Sequence, residues 1–419
     1  MSSKKIVECV PNFSEGKDKD IIDQICASIE TIDTVKILDV DMGADTNRTV
    51  VTFIAESDYA GSAAYKGIEK AAELIDMRNH TGAHPRMGAT DVCPFIPVSN
   101  IDMEECVHIA RKLGEKVGNE LNIPVFLYES AASNEERKNL ANIRNGEYEG
   151  LSEKLKEENW KPDFGPENVN VRAGATAIGA REFLIAYNIN LNTNDRTYAN
   201  EIAYELRERG RWKRINQKDN FYYKGNIVNF AEGYYPDGNS DYVGNSLKEI
   251  EDYYQKNGKD FRKRYNSLGL DPDNLIGKPV YKDGKFTHVK GLGWVIPEYN
   301  RAQISMNLTN YKISSIHEIY DAACEEAEKR GLRVTGSEIV GLIPYQAIES
   351  AGKHYLKKMG KSSGMPPIDL VNIAIQSLGL SDVTDFNPSD KVLGMPKING
   401  ELANRVTFDL VDEVSRDSP

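Results

Sequence analysis

The same six-element alternation occurs twice along this 419-residue chain, and that repetition leaves few folds open. In the first half, Lys5 to Phe13 (KIVECVPNF) reads as a strand ending in the turn Asn12-Phe13-Ser14-Glu15-Gly16. Apolar spacing predicts a helix over Ile21 to Ile32, strands over Val35 to Val40 and Thr49 to Ile54, and a helix over Ala60 to Met77. A strand follows at Val92 to Val98, then a helix over Met103 to Leu121 and a short strand at Pro124 to Tyr128. In the second half the corresponding segments are Phe183 to Leu191, Arg196 to Arg207, Lys290 to Val295, Gln303 to Leu308, Ile313 to Lys329 and Glu338 to Ile343. The order β-α-β-β-α-β predicts an α+β protein of two ferredoxin-like (split βαβ) subdomains, with helices packed on one face of each sheet. PFIPVSN and GLIPYQA, each with Ile-Pro at a strand's end, are the trace of repetition in the residues themselves.

Chemistry concentrates in the connection between the second helix and the strand after it. IDMRNHTGAHPRMGATDVCPFIPV, from Ile75 to Val98, places His80, His84, Arg78 and Arg86 among Gly82, Pro85 and Gly88. Those glycines and the proline forbid one continuous helix, so the segment is a shaped loop, and such loops carry function more often than core elements do. His84 stands out because Pro85 holds its backbone extended and the flanking glycines permit close approach to a ligand. A lone histidine is more often structural than catalytic, and His80 is the second candidate. Asp39 and Asp41, two apart in a strand, face one side of the sheet; Asp41 can orient a histidine or simply close an Asx-turn.

Composition limits the partners. Net charge is −12, which argues against nucleic acid and means that any anionic substrate needs a local cationic cluster. Arg48, Arg78, Arg86, Arg172 and Arg181 are the first-half candidates. Five cysteines, odd in number and without a Cys-x-x-Cys, support neither a disulfide framework nor a zinc knuckle. No long apolar run reads as a signal peptide or membrane span, so a cytoplasmic protein is expected. Between Trp212 and Gly284 lies a stretch rich in Tyr, Asn, Lys and Gly, expected as an inserted surface segment; a lid or dimer contact built on its tyrosines is the alternative.

The Ile75–Val98 stretch resembles the signature region of glutamate formimidoyltransferases, folate-dependent enzymes of histidine breakdown. VECVPNFSEG, LDVDMGADTNRTV, GLGW and GSEIVGLIP resemble the same family in the same order. The resemblance runs from about Lys5 to Arg209 and from Lys285 to Pro388. It implies transfer of a formimidoyl group from N-formimidoyl-L-glutamate to N5 of tetrahydrofolate, the co-substrate, possibly polyglutamylated, with no metal. It also implies a homodimer. Residues 1–180 are expected as an N-terminal subdomain and 181–390 as a C-terminal one with an insert at about 212–284. Residues 391–419 are expected as a tail resembling the start of a cyclodeaminase domain, either a missing fused domain or a partner.

In site terms, the resemblance implies His84 as the general acid/base. A histidine suits this, since its ordinary pKa is about 6.5 and proton transfer of this kind gives about 10²–10⁴-fold. The resemblance assigns the orienting carboxylate to Asp41. Arg48 and Arg86 would hold substrate carboxylates through bidentate geometry, with Asn12 as a further polar contact. The folate segment it implies is Gly165, Pro166, Glu167, Asn168, Val169, Asn170, Val171, Arg172, Ala173 and Gly174. The vertebrate pattern has an aromatic residue near Ala173, and this chain does not. GATAIGAR, from Gly174, lacks the Lys-Ser/Thr of a phosphate loop. Three rival readings stand: a formylglutamate donor in place of the formimidoyl one, a metal-dependent hydrolase using His80 and His84, and a non-catalytic folate-binding protein. Gly82 and Pro85 count against the hydrolase, because i,i+4 histidines converge only on a helix.

Overall fold

The computed structural model describes residues 4–395 apart from 45, 83, 217–224 and 297–298, so the tail read as cyclodeaminase-like lies almost wholly outside the described residues. The chain divides between Phe183 and Leu184 into two compact units of mixed helix and sheet. The architecture is α+β, as the sequence pattern requires.

The first unit runs β1 (Ile6–Cys9), β2 (Asn12–Phe13), α1 (Lys19–Ile29), β3 (Lys36–Gly43), β4 (Arg48–Glu56), α2 (Ser57–Leu74), β5 (Thr90–Ser99), α3 (Met103–Leu121), β6 (Val125–Glu129), α4 (Leu140–Arg144), α5 (Glu147–Lys154) and β7 (Thr176–Ala180). β1 and β2 are the expected first strand, split at Val10-Pro11 and paired antiparallel on both sides, with β4 and with β5. β3 extends the sheet beyond β4, while β7 and then β6 extend it beyond β5 as parallel strands. This sheet of seven strands is wider than a single six-element pattern provides. β7 (TAIGA) is the added strand: five small or apolar residues that carry no period of their own.

Strand alternation sorts the sheet into two faces. Val51, Phe53 and Ala55 of β4, Phe95 of β5, Leu127 of β6 and Ile178 of β7 pack with α1, α2 and α3. Val92, Phe126, Tyr128 and Ala177 point to the other side, where Ile143, Leu151 and Trp160 form a smaller core. Helical cover in this unit is therefore not confined to one face, because α4 and α5 close the second face over β5, β7 and β6. Asp102 begins α3 with a capping box through Glu105, which explains why that helix starts where the sequence pattern does. Cys9 and Cys93 are buried with their Sγ atoms 3.6 Å apart, well beyond a disulfide's roughly 2.05 Å.

In the second unit β8 (Ile185–Leu191), α6 (Arg196–Leu206), β9 (Val289–Ile296), β10 (Arg301–Leu308), α9 (Ile316–Glu328) and β11 (Val334–Val340) follow in the expected order; the helices α7 (Leu247–Lys256) and α8 (Phe261–Ser267) lie between α6 and β9. The four strands form one antiparallel sheet in the order β9-β10-β8-β11. The long segment after α6 carries an aromatic core of its own, in which Phe230, Tyr254, Phe261 and Tyr265 pack around α7 and α8. Phe261 and Tyr265 stack with ring centroids 4.5 Å apart.

Candidate active site

Three loops meet at the end of the first sheet, and Asn47 ties them together. This residue has φ 48°, a left-handed conformation that asparagine tolerates. Its Oδ1 accepts from the Gly16 N–H at 3.0 Å, its Nδ2 donates to the Thr81 carbonyl at 2.9 Å, and its own carbonyl accepts from His80 Nε2 at 2.8 Å. The approach leaves no room for side chains. A Cβ on Gly16 would lie 2.3 Å from the Gly43 carbonyl oxygen, and one on Gly82 would lie 2.3 Å from that of Thr46. These glycines are there because three backbones touch.

His80 is a brace within this knot. A carbonyl only accepts, so Nε2 carries the proton, and Nδ1 accepts from Arg86 Nε at 3.1 Å. With both ring nitrogens taken, His80 offers no lone pair to a substrate or a metal. Arg86, expected to grip a substrate carboxylate, is buried and fully engaged. Nη1 donates to Glu147 at 2.9 Å and Glu149 at 2.8 Å, and Nη2 to Glu149 at 2.7 Å and the His80 carbonyl at 3.2 Å. All five guanidinium N–H donors are used, so Arg86 is corrected from a substrate contact to a clamp joining the loop to α5. An open cavity of about 450 Å³ beside it is lined by Thr81, Gly82, Arg86, Gly146, Glu147 and Glu149. Two carboxylates in that lining have the wrong sign for anionic substrates.

His84 is different. Its Nδ1 lies 2.7 Å from the Pro85 carbonyl, so Nδ1 carries the proton and Nε2 keeps the lone pair. Burial, then Arg48, then Arg144 push its pKa down from 6.5 to about 4, against an opposing pull from Asp91 and the Pro85 carbonyl. The imidazole is therefore neutral and basic at physiological pH. Asp41 was expected to orient it; the backbone of Pro85 holds Nδ1 instead, and the carboxylate in electrostatic reach of His84 is Asp91.

Register places the other expected residues. Asp39 pairs with Thr52 and Asp41 with Val50, so both share the face of Arg48, opposite α1, α2 and α3. Asn12 pairs with the same Val50 and with Val92, which brings it onto that face too, its Nδ2 bonded to the Val10 carbonyl at 2.8 Å. Asp41 is exposed and acts on Arg48 rather than on His84. Burial and the neighbouring Arg144 bring the Arg48 guanidinium down to about 10, and its Nε is buried without a hydrogen-bond partner.

Two residues that sequence reasoning left out of the acid–base centre complete it. Asp91 is the extra residue of a β-bulge, since Asn12 pairs with Val92 but Phe13 with Thr90. Bulges of this kind redirect a side chain. Asp91 is buried, its Oδ1 accepting from the Met87 N–H at 2.9 Å and its Oδ2 from Arg144 Nε at 3.0 Å. Arg144 is presented by α4, a helix of five residues, too short to hold itself. The buried Lys154 ammonium supports it from α5, donating to the carbonyls of Asn142, Ile143 and Asn145 at 2.7, 2.7 and 3.0 Å. No residue pattern in the sequence signals either contact.

The segment Gly165–Gly174 lies alongside this loop. Met77 N–H donates to the Arg172 carbonyl at 2.9 Å, Ala89 N–H to that of Ala173 at 2.8 Å, and Ala175 N–H to that of Met87 at 3.1 Å. Asn170 shapes the turn, its Oδ1 accepting from the N–H groups of Arg172 and Ala173 at 3.2 and 3.0 Å. Glu167, Asn168, Val171 and Arg172 are exposed, whereas Ala173 is buried. Gly174 has φ 71°, and a Cβ there would meet the Met87 carbonyl oxygen at 2.1 Å.

A conserved-type α+β frame carrying one free imidazole beside two guanidiniums is a group-transfer site, and comparison with known proteins narrows the group. Residues 6–181 match the formiminotransferase domain, N-terminal subdomain, and residues 186–396 match the formiminotransferase domain. The chain belongs to the formiminotransferase family. It is 41% identical over 361 residues to the glutamate formimidoyltransferase of Thermoplasma acidophilum, an alignment covering 86% of this chain and 95% of that one. It is 34% identical to the glutamate formimidoyltransferase of Streptococcus pyogenes, over 84% of this chain and 94% of that one. With the formimidoyltransferase-cyclodeaminase of Dictyostelium discoideum it shares 39% identity over 93% of its own length, spanning 60% of that longer protein.

Proposed function

We propose that this protein transfers the formimidoyl group of N-formimidoyl-L-glutamate to N5 of tetrahydrofolate, with His84 as the proton carrier. The observation that supports it most is the fixed tautomer of His84, Nδ1–H on the Pro85 carbonyl and Nε2 unprotonated, next to Arg48. N5 attacks the formimidoyl carbon, forming an N5–C bond, and the proton lost from N5 passes to His84 Nε2. From the tetrahedral intermediate the bond from carbon to the glutamate nitrogen breaks. That nitrogen takes the proton back from His84, so glutamate leaves as an amine and the imidazole is restored. Arg48 binds a donor carboxylate, Asp41 steadies Arg48, Asn12 supplies a polar contact on the same sheet face, and Gly165–Gly174 binds the folate. Arg86 and His80 support the loop. Holding two substrates together provides the rest of the acceleration.

In the same reading, residues 1–180 and 181–390 are the two transferase parts, and the tail from 391 leads towards a cyclodeaminase segment. The deciding assay supplies formimidoylglutamate with and without tetrahydrofolate, in excess chelator. Folate-dependent glutamate release, with a product that acid converts to the methenyl form, is the expected outcome. Folate-independent release abolished by chelator would establish a hydrolase instead.

A further inference from the structure

Arg48, Arg144 and Asp91 form a group whose charges do not balance. Two guanidiniums and one carboxylate leave one positive charge, and the carboxylate is already committed. Asp91 holds Met87 N–H with Oδ1 and the Nε and Nη2 edge of Arg144 with Oδ2, which leaves Arg144 Nη1 outside the pair. Arg48 lacks a partner at its buried Nε and is opposed by Arg144, with exposed Asp41 as the other carboxylate acting on it. Two repelling cations held together in a partly buried place are costly unless something anionic joins them. Neither can swing away. Arg48 follows Asn47, which is bonded to the neighbouring loops, and Arg144 is seated by Lys154 and Asp91. The groups in electrostatic reach of His84 are these two arginines, Asp91 and the Pro85 carbonyl.

Resting on the transferase reading above, we infer that Arg48 and Arg144 together form a carboxylate-binding site for the glutamate portion of the donor, in which the bound carboxylate supplies the missing negative charge beside His84. Arg144 thereby takes the part that Arg86, with its donors saturated, does not. One consequence follows for the chemistry. In the free protein the imidazole resists protonation, so it is a ready base. Once a carboxylate lies between the arginines, an imidazolium is tolerated next to them, which is what returning a proton to the leaving nitrogen requires.

The test uses the full chain and L-glutamate as the probe. Calorimetric titration of the wild type should show binding that weakens with salt. Arg144→Gln should weaken it at least about tenfold and raise the donor KM by a similar factor, with the tetrahydrofolate KM nearly unchanged. Because a cation has been removed, the acid limb of kcat/KM should also move up in pH, a change that a purely structural arginine would not produce. Arg144→Lys keeps a countercharge on Asp91 if the glutamine variant unfolds, and it should fold, keep the acid limb low and still lose affinity, having lost the guanidinium fork. Unchanged glutamate affinity in a folded Arg144 variant, or no binding to the wild type, would overturn the site. Absence of formimidoyl transfer by the wild type would overturn the function reading alone, since glutamate binding is measured without turnover.

Discussion

Lowering the pH perturbs the His84 site most directly, and the size of the response follows from its surroundings. With a pKa of about 4, His84 is about 97% neutral at pH 5.5, whereas an ordinary imidazole of pKa about 6.5 is about 9% neutral there. Between pH 7.5 and 5.5 the contribution of His84 to kcat/KM should fall by only a few per cent, against about tenfold for an unperturbed base. Glutamate release at low substrate, in buffers of constant ionic strength, measures it. His84→Ala should lose about a hundredfold or more in kcat, and its residual rate carries the substrates' own titrations without that of the imidazole, so the ratio of the two profiles isolates His84. A tenfold fall in that ratio over the same interval would show that the arginines do not act on the histidine, and the electrostatic argument would fail.

The same shift has a consequence for stability. The unfolded chain takes up the His84 proton near pH 6.5 and the folded one only near pH 4, so the unfolded state binds more protons between those values. Stability is therefore complete above about pH 6.5 and declines as the pH falls through the window to about 4. Fully buried, the shift would be worth about 3 kcal/mol; allowing for the half-exposed ring, about 1–2 kcal/mol is expected. His317, brought down to about 4 mainly by burial and by His354, adds a loss of the same sign in the other unit, so His84→Ala should remove only part of the acid sensitivity seen by denaturant titration.

Lys154→Met removes the donor that holds three carbonyls around Arg144. About 3 kcal/mol of stability should go with it, read as a lower denaturation midpoint, together with weaker donor binding. Arg86→Met should cost about 2 kcal/mol rather than the roughly 3–5 of a fully buried pair, because Glu147 and Glu149 are 42% and 65% exposed and can return to water. A denaturation midpoint shifted with the donor KM intact would fit a clamp, whereas a donor KM raised without a stability change would restore Arg86 to substrate binding. Gly82→Ala drives a methyl against the Thr46 carbonyl oxygen and should displace the His84 loop enough to cost about a hundredfold in kcat/KM with little loss of fold; near-normal turnover would show that the loop packing does not set the geometry.

What the sequence could convey was whatever a short window of residues determines. Met103–Leu121 was legible to the residue because its apolar spacing and its capping box are both local. The strands β3 and β4, and the shared face of Asp39 and Asp41, follow from alternation alone. β7 was not legible, since five small and apolar residues become a strand only by lying between β5 and β6. The site divides along the same line. His84 was marked by its neighbours Gly82, Pro85 and Gly88, a local signal. Arg86 carried the same signal, and its role was reversed by Glu147 and Glu149, some sixty residues away.

Asp91 and Arg144 show the limit most clearly. A bulge against β2 turns Asp91 towards Arg144, a short helix presents Arg144, and a lysine ten residues further on holds that helix in place. Each step is a tertiary contact between residues that look unremarkable in their own stretch of chain. The electrostatics of the histidine are set at the end of that series rather than in the loop that bears it. A catalytic residue can thus be recognised from its own surroundings in sequence, while the charge it works against depends on groups that only the fold assembles. Substitutions at Lys154 should for that reason alter the acid limb of catalysis from a position that touches neither the histidine nor the donor: loosening Arg144 should raise the pH at which kcat/KM falls. A Lys154→Met enzyme whose acid limb stays in place while its denaturation midpoint drops would break the series at its first step.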